Sequence, residues 1–304
     1  MYSFIAERII YPLGDLVYGS SVIKYYHWLQ KTQWWPPEQL QELKNTKLRA
    51  LVKHAYENVP FYHRIFEERG LTAKDIQTVD DLQKLPILTK NDIRQDYSNM
   101  LAKDFKKWKP IPGSTSGATG EPLKYHITVD QASINWAGAF RGWSWAGYRI
   151  GDKRISFGGR SIKSPIKFKI IRRIFERNLP LSVVSMNDAK YDNYINSIFS
   201  YKPKFIYGYA SSIYLLADYC KSHKINNIHF EAVFSTAEVL LPSYRTTIEN
   251  QFQCEVFDQY GSRDGGGQAM ECQKHQGFHI SVECRFSGYM TTLSQVNVPP
   301  IFSC

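Results

Sequence analysis

Lys204-Phe205-Ile206-Tyr207, Glu231-Ala232-Val233-Phe234-Ser235-Thr236 and Cys254-Glu255-Val256-Phe257-Asp258-Gln259 are three short, largely apolar runs within residues 204–259. Between them, 211–223 and 242–252 carry apolar residues at helical spacing. Upstream, Arg154–Phe157 and Leu181–Ser185 read as two further strands, with a helix over 188–200 before Lys204. Strands short enough to be wholly buried, alternating with helices, predict an α/β fold with a mostly parallel sheet covered by helices. Ligands on such sheets sit beyond the carboxyl ends of the strands, so the loops after these runs carry the functional interest.

Before about residue 111 the pattern is helical. Pro36 and Pro37 open a helix, where Pro is tolerated in the first turn, and Leu40, Leu43, Leu48, Leu51, Val52, Ala55 and Val59 follow at helical spacing. Pro60 ends that run, and a short helix with Phe61, Ile65 and Phe66 closes at Gly70. Thr89 with Asp92 has the spacing of a capping box. We therefore divide the chain into an N-terminal helical region (1–110), an α/β core (111–283) and a tail (284–304) that shows neither a period of 2 nor one of 3.6.

The 304 residues are 43% hydrophobic and 22% charged, which suits a globular protein with a substantial core and excludes a disordered tail or a small disulfide scaffold. Five scattered cysteines without a CxxC pair read as reduced thiols of a cytoplasmic protein. No apolar run approaches the length of a membrane span, and Glu7, Arg8 and Asp15 interrupt any signal-peptide core. The net charge of +10 is concentrated: residues 151–180 hold nine cationic side chains against Asp152 and Glu176. Such a stripe suits a solvated helix face, a polyphosphate or an anionic membrane surface peripheral to the protein. No nucleic-acid-binding motif accompanies it, so nucleic acid is not expected as a partner.

Three segments carry the chemistry. In Ser114-Thr115-Ser116-Gly117-Ala118-Thr119-Gly120, glycines and hydroxyls crowd together, which suits either a phosphate-binding turn or a polar linker. It lacks the Gly-Lys-Ser/Thr ending of a Walker loop. Tyr260-Gly261-Ser262-Arg263-Asp264-Gly265-Gly266-Gly267 follows a strand; Asp264 is a candidate magnesium carboxylate and Arg263 a candidate phosphate fork, and the alternative is a glycine-rich turn with a surface ion pair. Ser235-Thr236-Ala237-Glu238 ends another strand, where Glu238 also fits a helix's first turn. Cys272, His275 and His279, with Cys284 as a fourth, are candidate zinc ligands by spacing. Trp136, Phe140 and Trp143, at helical spacing, read as core, with a substrate wall as the alternative.

Together, in this order, the three segments resemble the adenylate-forming enzymes, and specifically the phenylacetate–coenzyme A ligase family in its capsular-polysaccharide-biosynthesis branch. Gln33-Trp34-Trp35, His54-Ala55-Tyr56-Glu57-Asn58-Val59-Pro60-Phe61-Tyr62, Leu85-Pro86-Ile87-Leu88-Thr89-Lys90, Gly208-Tyr209-Ala210-Ser211 and the stretch from Glu271-Cys272 to His279 extend the likeness from about residue 20 to about 283. The resemblance implies an AMP-forming acid–thiol ligase: a carboxylate attacks the α-phosphate of ATP, and a thiol, usually that of coenzyme A, takes the acyl group. It implies that Ser114, Thr115, Ser116, Gly117, Thr119 and Gly120 hold the β- and γ-phosphates. Thr236, Ala237 and Glu238 would line the adenine, Tyr260 and Gly261 would flank the nucleotide, and Asp264 would bind Mg2+. Some relatives also carry zinc near Cys272.

This chain departs from the family pattern at several positions. Arg263 stands where the family usually has Thr, and Asp264 where it has Glu. Glu121 occupies a position where many relatives carry Lys, leaving Lys124 as the nearest replacement and Arg263 as a compensating cation. The likeness stops near Glu283. Cys284 to Cys304 has neither the ribose-binding Asp nor any Lys, so the resemblance implies a truncated ligase-like chain without the small C-terminal domain, impaired in chemistry more than in binding. The reading from a different class is a non-catalytic, membrane-peripheral protein acting through the basic stretch 151–180.

Overall fold

The structure is a computed structural model that describes residues 2–108, 110–115, 122–158, 173–184, 186–261 and 267–283. The N-terminal elements are α1 (Tyr2–Ile5) and α2 (Tyr11–Tyr18), joined by a π-helical turn at Ala6–Ile10, then α3 (Val22–Thr32), α4 (Pro37–Asn58), α5 (Pro60–Glu68) and α6 (Lys90–Gln95). Pro37 sits in the first turn of α4 and Pro60 in that of α5, so each proline opens a helix where no N–H bond is lost. Thr89 caps α6 with the reciprocal bonds to Asp92 that its sequence spacing predicts. Leu48, Val52, Phe66 and Ile76 form a small core of their own beneath α4 and α5.

A two-stranded hairpin, β1 (Ile111–Ser114) and β2 (Lys124–Ile127), leads into α7 (Val129–Trp145). The remaining elements are β3 (Arg154–Gly158), β4 (Asn178–Ser182), α8 (Asp188–Tyr201), β5 (Phe205–Tyr209), α9 (Ala210–Ser222), β6 (Ala232–Thr236), α10 (Pro242–Phe252), β7 (Glu255–Gly261), β8 (Gln268–Glu271) and β9 (Phe278–Ile280). They build a seven-stranded sheet in the order β4-β3-β5-β6-β7-β8-β9, parallel from β4 to β7 and antiparallel at β8 and β9.

Strand periodicity sorts the side chains into two cores. Ile206, Val233 and Val256 pack with α8, α9 and α10 on one face; Phe205, Ala232, Phe234 and Phe257 pack with α7 and α3 on the other. Phe140 and Trp143 are buried in the second core, with Trp143 stacked on Phe234 at 5.0 Å, whereas Trp136 is partly exposed. The two faces explain why these strands are apolar at almost every position.

One strand is corrected. The run at Leu181–Ser185 lies instead at Asn178–Ser182, with Pro180 in its middle. Among the described residues β4 is the sheet edge and pairs only with β3, so a missing N–H at Pro180 costs no ladder bond on its outer side. The tail from 284 onward lies outside the described residues.

Candidate functional site

β6 and β7 run parallel with Thr236 opposite Gln259, so candidate residues 236–238, where the chain leaves β6, and 260–261, the last residues of β7, lie side by side at the carboxyl edge of the sheet. Thr236 is buried; Ala237 turns the chain in the left-handed region at φ +67°, unusual for a residue with a Cβ. Glu238 then reaches across to the start of α9, where its Oε2 accepts the Ser211 backbone N–H at 2.9 Å. That N–H belongs to a first turn with no intrahelical partner, and a carboxylate there also meets the positive end of the helix. Tyr260 is 46% exposed at the edge.

Beneath this edge lies a polar network that the sequence segments do not announce. Ser235 Oγ donates to Asp258 Oδ1 at 2.6 Å. The Asp258 backbone N–H donates to Glu271 Oε2 at 3.0 Å, and Arg245 grips both Glu271 oxygens at 2.9 and 2.8 Å. Arg245 also donates to the Val256 carbonyl. Burial raises the Asp258 carboxyl pKa, and the neighbouring Glu271 charge adds to that, while the Ser235 hydrogen bond opposes it. On the other face Trp143 Nε1 donates to Gln259 Oε1 at 3.2 Å, holding the last turn of β7 against α7.

The hairpin closes the other candidate loop at its neck. The Thr115 N–H donates to the Leu123 carbonyl at 3.0 Å, and the Leu123 N–H donates to Thr115 Oγ1 at 2.9 Å. Thr115 is thereby committed to loop closure through its lone pair. Ser114 and the exposed Lys124, paired across β1 and β2, line an open groove of about 640 Å³ with Tyr97, Tyr125 and His126. Ser116, Gly117, Thr119, Gly120, Arg263 and Asp264 lie outside the described residues.

Among the described residues the candidate zinc ligands Cys272, His275 and His279 do not assemble into a metal-binding group, and Cys284 lies outside the described residues. Met270 pairs with His279 across β8 and β9, and both lie on the α7 face, where His279 meets the Trp145 ring at 5.2 Å. His275 lies in the loop between β8 and β9, with Nδ1 3.1 Å from Glu271 Oε2 and its ring 4.8 Å from that of Phe257. Among the described residues no group of three or more His, Cys, Asp or Glu side chains assembles at metal-binding distance.

Of the basic stretch, Lys153, Arg154, Arg173 and Arg177 are among the described residues, and Arg160, Lys163, Lys167, Lys169 and Arg172 lie outside them. Arg154 begins β3 with its side chain 2% exposed, donating to Tyr148 Oη at 2.7 Å and pairing with Glu176. Lys153 Nζ donates to the Tyr201 carbonyl at 2.8 Å, and the Arg177 guanidinium lies 4.3 Å from the Tyr2 ring centre. These cations bind the body of the protein because strand periodicity and the N-terminal helix turn them inward.

An α/β sheet of this order, with ligand-type loops at its carboxyl edge, defines the adenylate-forming fold. It is shared with 2-hydroxyisobutyryl-CoA ligase, solved in an open conformation with 2-HIB-AMP and CoA, at a TM-score of 0.63 and 20% identity over 80% of this chain and 59% of that one. No protein-family model matches the chain. It is 33% identical to Protein CapK of Staphylococcus aureus over 238 residues, covering 74% of this chain and 51% of the relative. It is 30% identical to the phenylacetate-coenzyme A ligase of Pseudomonas putida over 241 residues, covering 77% and 53%. The chain belongs to the phenylacetate–coenzyme A ligase family, and spans about half the length of the curated relatives it matches.

Proposed function

We propose that this chain carries the nucleotide-binding part of an AMP-forming acid–thiol ligase, associated, as the likeness to CapK suggests, with capsular or surface polysaccharide synthesis. The observation that supports it best is that Thr236–Glu238, leaving β6, and Tyr260–Gly261, ending β7, lie side by side at the carboxyl edge of the sheet, in a chain of this family. In this reading the nucleotide lies across that edge. The 114–120 loop, drawn tight at its neck by Thr115, turns its N–H groups and hydroxyls to the β- and γ-phosphates.

The substrate carboxylate attacks the α-phosphorus, a new O–P bond forms, and the bond to pyrophosphate breaks. The thiol of coenzyme A then displaces AMP from the acyl carbon. Arg263 and Lys124 supply positive charge to the phosphates, which matters most where negative charge develops on the pentacoordinate phosphorus. Asp264 is the carboxylate that would hold Mg2+, whose contribution is charge neutralisation on the phosphate oxygens. The oxygen-only chemistry of a carboxylate beside a polyphosphate suits that ion.

Calorimetry tests the assignment. A folded Gly117→Val variant should lose MgATP binding, because a β-branched side chain blocks close backbone approach to phosphate. Asp264→Ala should weaken MgATP far more than metal-free ATP. Unchanged MgATP affinity in the folded Gly117→Val chain would remove the loop from the site. Carboxylate-dependent ATP–pyrophosphate exchange over aryl and short-chain acids reads the activation step itself.

A further inference from the structure

The N-terminal helix is apolar on both sides. Its inner side, with Tyr2, Ala6 and Tyr11, packs on the body: Ala6 is fully buried and Tyr11 meets the Phe140 ring edge-on at 5.8 Å. Its outer side carries Phe4, Ile5, Ile9, Leu13, Leu16, Val17 and Tyr18, between 36% and 79% exposed. A helix apolar all round is ordinarily covered all round, and soluble proteins rarely leave so continuous an apolar surface open. Exposed Ile174 and Phe175 lie beside the start of the helix, where Tyr2 Oη donates to both their carbonyls at 3.0 Å.

The charges say what covers it. The only charged residue exposed on the outer side of 2–18 is Arg8. The two acidic residues are turned aside and occupied: Glu7 Oε1 lies 2.8 Å from His27 Nε2, and Asp15 accepts from Ser20 Oγ at 2.6 Å and the Ile23 N–H at 2.9 Å. Exposed Arg173 adjoins Ile174 in sequence. An apolar helix face whose one exposed charge is a cation and whose own carboxylates are paired is complementary to an anionic lipid surface. No described helix is long and apolar enough to cross a membrane, so the contact is in-plane.

We propose that the outer face of residues 4–18, with Ile174 and Phe175, is an interfacial surface that seats this chain on anionic phospholipid. This differs from attachment through the basic stretch alone, since the apolar side chains carry the binding and the cations select the lipid.

The test is co-sedimentation of the 304-residue chain with phosphatidylcholine vesicles, with and without phosphatidylglycerol, at low and high salt. Binding is expected only with the anionic lipid, and weaker at high salt. The double variant Leu16→Glu/Val17→Glu, at positions 79% and 77% exposed, should keep the wild-type unfolding midpoint and lose roughly tenfold or more in partitioning. Arg8→Glu should weaken binding to anionic vesicles while leaving the fold intact. The milder Leu16→Ser/Val17→Ser serves as a second reading if the charged variant unfolds. The proposal is overturned by absent binding to anionic vesicles or by folded variants that partition like wild type. It is equally overturned by a dimer in sedimentation velocity that the Leu16/Val17 variants dissolve, which would make a second copy the occupant.

Discussion

Arg141 on α7 and Glu283 after β9 are 142 positions apart and form an ion pair at 2.9 Å, with side chains 4% and 3% exposed. Thr32 Oγ1 donates to the same Glu283 oxygen at 2.8 Å, Lys47 Nζ donates to its carbonyl, and Arg141 donates to Ser281 Oγ at 2.6 Å. The Glu283 carboxylate thus ties α3 to α7, and its main-chain carbonyl adds α4, all at the segment just after β9. Removing one member of a buried pair strands the other, which typically costs about 3–5 kcal/mol. Arg141→Leu should lower the urea midpoint accordingly, and Arg141→Leu/Glu283→Leu should recover a large part of the loss. A double variant that loses the sum of the two single effects would show that the pair is not coupled.

Asp258 gives a pH dependence with a definite sign. Burial raises its folded pKa above the ordinary 3.8, so the folded chain binds more protons than the unfolded one within that window. Its contribution therefore favours folding at low pH and is lost as pH rises from 3.8 through the raised folded value. Acidification from neutral pH should increase the thermal midpoint of wild type relative to Asp258→Asn. A difference between the two that stays flat or shrinks on acidification would show that Asp258 is not the titrating group.

Two glycines separate a rigid neighbour from a yielding one. A Cβ on Gly208 would lie 2.5 Å from Phe157 Cβ and 2.9 Å from the Phe157 carbonyl oxygen, both fixed in the adjoining strand. A Cβ on Gly142 would lie 1.7 Å from Met270 Sδ, 2.9 Å from its Cγ and 3.1 Å from its Cβ, all in a side chain that is buried but unbranched and adaptable. Gly208→Ala should cost about 1–3 kcal/mol by chemical denaturation, and Gly142→Ala less. The reverse order would mean that β3 yields more easily than Met270.

The central α/β pattern was legible because each parallel strand is short and apolar on both faces, and the helices between them kept their spacing: 188–200, 211–223 and 242–252 lie within one residue of α8, α9 and α10 at each end. Pro180 hid β4, since only an edge strand accepts it. β8 and β9 are four and three residues long, too short for a period to show, and Gln268 and Glu271 make β8 read as polar. Ser235, Asp258 and Glu271 stood in quoted segments, yet their connection needs Arg245, which no motif singles out. Arg141 and Glu283 carry no local signal at all: their pairing exists only once α7 crosses the sheet.

Glu238 allows a structural and a ligand-binding role to be separated. Its Oε2 accepts the Ser211 N–H at the first turn of α9, directly after the left-handed Ala237. Gln keeps an acceptor oxygen in the same place and loses only the interaction of a charge with the helix end, about 0.3–1 kcal/mol. Ala removes the acceptor and leaves an exposed N–H to water, at a cost comparable to losing an N-terminal cap, about 1 kcal/mol. If Glu238 works by holding the 236–238 turn in shape, Glu238→Gln should bind ATP like wild type, and Glu238→Ala should bind more weakly with a lower thermal midpoint. Calorimetry and thermal unfolding on the same samples decide it. Equal loss of ATP affinity in both variants, with Glu238→Gln unchanged in stability, would mean that the carboxylate charge itself meets the ligand.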